Sequence, residues 1–368
     1  MKLTGLKVID LSLFLPGPYL TLALCDHGAE VIKVEPPAGD PGRGIGERQG
    51  GHAVFFRNLN RGKQSLCLDL KLEADRERLL RLCDEADVFV ESFRPGVAAR
   101  LGFGQETLRG RNPRLVYCSI SAFGQDGDYA ARPAHDLGVE AMAGVLSMSL
   151  GPDGSPAIPA IPVADVLSGL HGLSGVLMAL LRRESTGQGD YLDISMLDST
   201  VGACLNILGP TLAEGRQPDP REERTTGGSA FYRVYRTGDG GHISMAGQEP
   251  KFVHCLLGAL GRPELAELVL QGPGRHQQPV VDYLTGVFLT RTRDEWDAWL
   301  GGLDVCYGPV KTLPEALADP HLARRAMVLT DDAGLRHIGS PIHFADEPAE
   351  PDFTVPALGG YAGPDTHR

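Results

Sequence analysis

The chain has 368 residues, room for two domains at roughly 150 residues each, and its 42% hydrophobic and 22% charged residues are the balance of a globular protein. A net charge of -12 argues against nucleic acid as a partner, because that would need a basic face, but it leaves room for a few cations grouped around an anion. The seven cysteines are odd in number, scattered through apolar runs and without a CxxC pair, so they read as reduced thiols of a cytoplasmic protein, not as a metal site or a disulfide frame.

The opening "MKLTGLKVIDLS" lacks the apolar core of a signal peptide. "LKVIDLS" reads as a strand, the Pro-Gly-Pro of residues 16–18 as a turn, and "YLTLALCDHGA" as a helix capped at Gly28. "EVIKVEPP", "SLCLDL", "DVFVESF" and "LVYCSISAF" are further strands, with an amphipathic helix over 73–85. Strands alternating with helices imply βαβ units and a parallel sheet, so the first 125 residues or so are expected to be Rossmann-like. No GxGxxG follows the first strand and no GxxxxGK[ST] occurs, which argues against nicotinamide and ATP sites.

Residues 136–150 and 165–184 read as long buried helices, the apolar stretch near 170–181 being too short to span a membrane. "TGQGDYLDISMLDST" supplies a turn, a strand and a helix start, and 209–227, rich in Pro, Gly and charge, reads as a linker. "FYRVYRTGDGGHISMAG" has the pattern of a hairpin and opens a smaller α+β unit with helices near 250–260 and 292–302. The expected organisation is therefore a large domain over 1–208, a linker over 209–227 and a small domain over 228–318.

Ionisable residues stand twice at the heads of apolar helices. Asp165 precedes a run in which Gly169, Gly172 and Gly175 are spaced by threes, which lets another backbone approach one helix face. As a lone acid it would most simply be a helix cap, yet the same position beside free N–H groups suits developing negative charge. His135 and Asp136 head the other helix, and adjacency alone does not make them a dyad. Glu249 precedes Pro250 at a third helix start, and Arg94 and Arg100 lie beyond a strand end, where open α/β sheets bind ligands. No GxSxG and no HExxH occur, which removes two common hydrolase designs. Spacing alone stops at a two-domain α/β enzyme with an acid–histidine site.

The stretches "GLKVIDLSLFLPGPY", "DHGAEVIKVEPP", "LNRGKQSLCLDLK", "ADVFVESFRPGVAARLGF", "SISAFGQDG", "TGQGDYLDISMLDS" and "LADPHLARRAMV", in this order and spacing, resemble the family III CoA-transferases and the α-methylacyl-CoA racemases, which share one fold. The resemblance implies that fold, with residues 319–368 returning to complete the large domain, and an interlocked homodimer. It implies Asp165 as the catalytic aspartate: nucleophile in a transferase, or proton-transfer partner of His135 in a racemase. The His135–Asp136 pair, "GGSAFYRVYRTGDG", the "QEPKF" glutamate and "DVCYGPV" are similar to the racemase branch, whereas "VEAMAG" is closer to transferase wording. The racemase is preferred: inversion of the α-carbon of a 2-methylacyl-CoA needs two acid/base groups about a planar enolate, and His135 and Asp165 supply them. The Asp165 N–H is expected to receive the thioester oxygen, and Glu249, in cis or from the partner subunit, to orient His135. Coenzyme A, carried by the substrate with no separate cofactor or metal, is expected along Arg94, Arg100 and Lys71 for its phosphates and Phe93 and Leu68 for its apolar parts. Acyl-CoA:carboxylate CoA-transfer is the alternative, and a catalytically silent CoA-binding scaffold the third; no nucleic-acid or membrane partner is expected.

Overall fold

A computed structural model describes residues 1–151, 153–361 and 363. The chain forms two compact units, one of Met1–Gly144, Pro159–Ala203 and Asp319–Arg368, the other of Val145–Ile158 and Cys204–Ala318. The expected large domain thus lacks 145–158 and 204–208, which group with the second unit. The expected linker belongs to that unit as well and starts with a short helix, Gly209–Glu214.

The first unit is built on β1 (Lys7–Asp10), α1 (Pro16–Asp26), β2 (Glu30–Glu35), α2 (Val54–Asn60), β3 (Gln64–Cys67), α3 (Glu73–Asp84), β4 (Val88–Glu91), α4 (Gln105–Arg111), β5 (Val116–Ser121), α5 (Asp136–Met142), α6 (Val163–Thr186), β6 (Tyr191–Ser195) and α7 (Met196–Ala203). The six parallel strands lie in the order β3-β2-β1-β4-β5-β6. The strands inside the sheet are mostly buried, because both faces are covered, while the edge strands β3 and β6 are more exposed. Successive side chains point to opposite faces: Val8, Val88 and Val116 pack with Leu20, Leu173 and Val176 of α1 and α6, while Ile9, Phe89 and Tyr117 pack with Leu79, Leu82 and Leu108 of α3 and α4. Strand order reverses direction between β1 and β4, which opens a crevice at the carboxyl ends of these strands.

Two glycines fix how closely the site-bearing elements approach. A Cβ on Gly17, in the Pro-Gly-Pro start of α1, would lie 2.2 Å from the Ser12 Cβ. A Cβ on Gly169 would lie 2.7 Å from the Pro16 carbonyl oxygen. The glycine face of α6 therefore receives the start of α1, as the spacing of Gly169 and its successors suggests. The expected single helix over 136–150 is instead broken. α5 stops at Met142, Gly144 takes φ 84°, and a separate turn follows over Val145–Met148. α6 is longer than the apolar stretch read from sequence, with 24 residues and a mean hydropathy of 1.5 over its most apolar window. That is length and composition enough to cross a membrane, so the size argument against spanning does not hold; what α6 packs against is α1 and the sheet.

The second unit carries β7 (Tyr232–Arg236), β8 (His242–Ala246), α8 (Pro250–Ala259), α9 (Gln278–Phe288), α10 (Arg293–Leu300) and β9 (Tyr307–Pro309). Its strands form an antiparallel sheet in the order β9-β8-β7 over a core that includes Phe231, Tyr235, Leu284, Phe288 and Trp296. All seven cysteines are free thiols.

The contact at Gly169 can be measured. Gly169→Ala is expected to destabilise the protein by about 1–3 kcal/mol in denaturant unfolding, because a methyl group must displace backbone. Gly286→Ala, in α9 with nothing within 4 Å of its added Cβ, is expected to stabilise by about 0.5–1 kcal/mol.

Candidate active site

α6 starts after Pro162 and has no capping side chain of its own. Its first three N–H groups are held by two carboxylates of α5. Val163 donates to Glu140 Oε1 at 3.1 Å, and Ala164 and Asp165 donate to Asp136 Oδ1 at 2.8 and 3.1 Å. Asp136 and Glu140 are four residues apart and share one face of α5, and negative charge at a helix N-terminus is favourable. Asp165 is therefore not the cap that a lone acid in its place would be, and its carboxyl is left for other work. Two expectations fall here. The Asp165 N–H, cast as the receiver of the thioester oxygen, is already bonded. Asp136, counted among the catalytic residues, commits its carboxylate to the helix start and does not line the cleft.

The cleft itself, of about 400 Å³, lies at the carboxyl ends of β1, β4 and β5. Its walls include Leu13 and Phe14 after β1, Phe93 and Arg94 after β4, and the side chains of His135 and Asp165. Cavities of this size fit small ligands or the reactive end of larger ones. Burial pushes the Asp165 carboxyl up to about 7, and the neighbouring Asp136 and Glu140 add to the effect. A carboxyl that titrates near neutrality can both take and give a proton. His135 stands at the N-cap position of α5, exposed, and its ring nitrogens have no hydrogen-bond partner among the described residues. The ring of Phe14 meets it in a T-shaped pair, with centroids 6.0 Å apart and planes at 87°.

A second hollow of about 250 Å³ adjoins at the ends of β1, β2 and β3, and shares Leu13 and Phe93 with the first. Leu68 and Lys71 line it, together with apolar Leu11, Val34 and Leu101. Of the residues expected to hold coenzyme A, four thus lie along two adjoining hollows. Arg100 lines neither; its guanidinium lies by Gly96. Glu249 occupies the N-cap position of α8 in the second unit, where its side chain makes no capping bond.

Several residues that shape the cleft were not singled out in the sequence. Glu140 is one, although its place four residues after Asp136 was a usable signal. Glu91, buried at the end of β4, accepts from the Phe93 N–H at 2.6 Å and the Ser119 hydroxyl at 2.5 Å, and burial raises its carboxyl to about 7. The β1–α1 loop is held by buried charges whose partners are far apart in sequence. Asp10 Oδ1 accepts from both the N–H and the hydroxyl of Ser12, and Lys33 donates to the Ser12 carbonyl at 2.9 Å. Lys63 reaches Asp10 at 3.1 Å, Thr21 at 2.8 Å and the Pro18 carbonyl at 3.1 Å. Burial works against ionisation of Asp10, but Lys63 and Lys33 outweigh it and hold the carboxyl at about 2. Among the described residues no group of three or more His, Cys, Asp or Glu could hold a metal ion.

A six-stranded parallel sheet in this order, with an acid and a histidine facing one crevice beyond its carboxyl ends, defines an α/β enzyme whose site is equipped for acid–base or acyl chemistry on a bound small molecule. Residues 3–361 match the model of CoA-transferase family III, and the chain belongs to that family. It is 36% identical to an alpha-methylacyl-CoA racemase of Mus musculus, over 90% of this chain and 83% of that one. It is 35% identical to an acetyl-CoA:oxalate CoA-transferase of Acetobacter aceti, over 94% of this chain and 90% of the other. The crystal structure of a CAIB/BAIF family protein from Brucella suis superposes with a TM-score of 0.84, at 34% identity, over 97% of this chain and 96% of that one. The protein is thus an enzyme of the superfamily that contains both these racemases and these CoA-transferases.

The raised Asp165 carboxyl has a consequence for stability. The folded protein binds its proton more tightly than the unfolded chain, since about 7 exceeds the ordinary 3.8. The stabilisation from this group is full below pH 4 and is lost as pH rises through 7. Asp165→Asn should therefore be more stable than wild type at pH 8, by roughly 2 kcal/mol after allowance for partial solvent access, and show little gain at pH 4. Thermal unfolding at the two pH values checks this.

Proposed function

We propose that the enzyme is a racemase of 2-methylacyl-CoA thioesters, working by proton exchange at the α-carbon. The observation that carries the proposal is that His135 and Asp165 line one cleft, with the Asp165 carboxyl raised to about 7. A carboxyl that is half protonated at neutral pH is a poor nucleophile but a well-matched proton-transfer group. Asp165 removes the α-proton from one epimer, His135 delivers a proton to the opposite face of the enolate, and the roles reverse for the other epimer. The Asp136 N–H carries no acceptor among the described residues and adjoins His135 in the chain, so it is the donor this scheme gives to the enolate oxygen.

In the same scheme the pantetheine and nucleotide of coenzyme A run from the cleft into the adjoining hollow, past Phe93 to Leu68, with Arg94 and Lys71 meeting phosphate. The exposed apolar side chains of α6, Leu170, Leu177, Met178 and Leu181, fit burial against a second copy, so the working enzyme is proposed to be a homodimer.

The decisive measurement is deuterium incorporation at the α-carbon of a single-epimer 2-methylacyl-CoA in deuterated water, with no acceptor acid present. Incorporation with inversion is the expected outcome, and Asp165→Ala should lower it by about 100-fold or more. If hydroxylamine instead traps an acyl group on Asp165 and His135→Ala still moves CoA between acids, the enzyme is a CoA-transferase. For the CoA path, Lys71→Ala and Arg94→Ala should each raise KM several-fold with a small change in kcat, and the difference from wild type should shrink in high salt.

A further inference from the structure

Phe14 is one of two described non-glycine residues with positive φ, at 61°, and the residue is 38% exposed. A non-glycine residue in the left-handed region is strained and persists only where its surroundings over-determine it. Those surroundings are all on one side of the residue or the other. Every polar group of Ser12 is taken: its N–H and hydroxyl by Asp10, its carbonyl by Lys33. The Leu13 N–H donates to Ser92 Oγ at 3.1 Å, and the Leu15 carbonyl accepts from Tyr19 at 2.8 Å within the start of α1. The loop is pinned at both ends and Phe14 bears the strain between them.

What the strained residue does is meet His135. The imidazole makes no hydrogen bond among the described residues, and the T-shaped pair with Phe14 is the one ring contact that His135 has there. From this geometry we infer that Phe14 is a positioning residue: the pinned β1–α1 loop aims its ring at His135 and so fixes where the imidazole stands relative to the α-carbon. The inference rests on the proton-exchange reading of the site, in which His135 serves one face of the substrate and Asp165 the other. Phe14 itself transfers no proton.

A wall residue and a positioning residue predict different things. Were Phe14 only an apolar wall, its loss would weaken substrate binding and slow both half-reactions alike. As an aimer of His135, it should matter to the face that His135 serves. The test uses the full chain and measures α-deuterium incorporation into the recovered starting epimer, beginning from each pure epimer of a 2-methylacyl-CoA. Phe14→Gly is the first variant, since glycine accepts φ 61° without strain and the fold is not at risk. Overall racemisation should fall tenfold or more in both directions, as the equilibrium demands. Incorporation without inversion should stay within about twofold of wild type for the epimer that Asp165 deprotonates. It should fall tenfold or more for the epimer that His135 deprotonates, with KM changed less than incorporation. Phe14→Tyr should recover most of what glycine loses, and Phe14→Leu, which keeps apolar bulk without a ring, should not.

Parallel loss for both epimers, or a change in KM alone, overturns the role of Phe14 while leaving the racemase reading in place. Wild-type enzyme that incorporates no deuterium from either epimer overturns the racemase reading, and the role of Phe14 with it.

Discussion

The site depends on one helix end being finished by another helix. The start of α6 has no cap of its own, and Asp136 and Glu140 of α5 take up its first three N–H groups. This contact does two things together. It satisfies donors that would otherwise be buried without partners, and it places two carboxyl groups beside Asp165, whose proton burial already favours and which they hold further toward its protonated form. The interaction that stabilises the architecture therefore also adds to the effect of burial on the reactive group. Stability and reactivity are coupled at this point of the molecule.

Around that contact the sheet supplies direction and the glycines supply distance. The reversal of strand order between β1 and β4 opens a crevice that any doubly wound sheet would have. What makes it a cleft with defined walls is the approach of α1 to α6 at Gly169 and the close packing of the Pro-Gly-Pro start of α1 on Ser12. Buried Lys33 and Lys63 then hold the intervening loop by main-chain carbonyls as well as by Asp10. Buried ion pairs are weak evidence for stability, since removal from water costs about as much as pairing returns. Their evident use here is to specify one loop geometry.

Much of this was legible in the sequence, and the parts that were not have separate physical causes. β1, β2, β4 and β5 announce themselves as short apolar runs, and the glycine spacing of α6 pointed correctly to a close approach. Asp165 and His135 could be singled out because each heads an apolar helix. The capping role of Asp136 and Glu140 could not, since it depends on where α6 begins relative to α5, twenty or more residues away. The break of the 136–150 helix at Gly144 was missed because apolar periodicity continues through it, while the left-handed turn is a property of one residue. Arg100 was placed on a ligand path by its nearness to a strand end, but position along a chain says little about which way a long side chain leans.

The interleaving of the two units reaches beyond the site. The chain leaves the first unit after Gly144, returns at Pro159, leaves again after Ala203 and returns at Asp319. The final segment then laces onto the opening third of the protein: the Gly62 N–H donates to the Thr354 carbonyl, the Tyr361 N–H to the Ser65 carbonyl, and Arg43 to the Pro356 carbonyl. Residues 62–65, which include the loop-holding Lys63, are thus bordered by partners that emerge from the ribosome some 290 residues later. During synthesis the N-terminal unit must wait, partly exposed, until the chain is nearly complete. Translation thus supplies these opening residues first and the segment that borders them last.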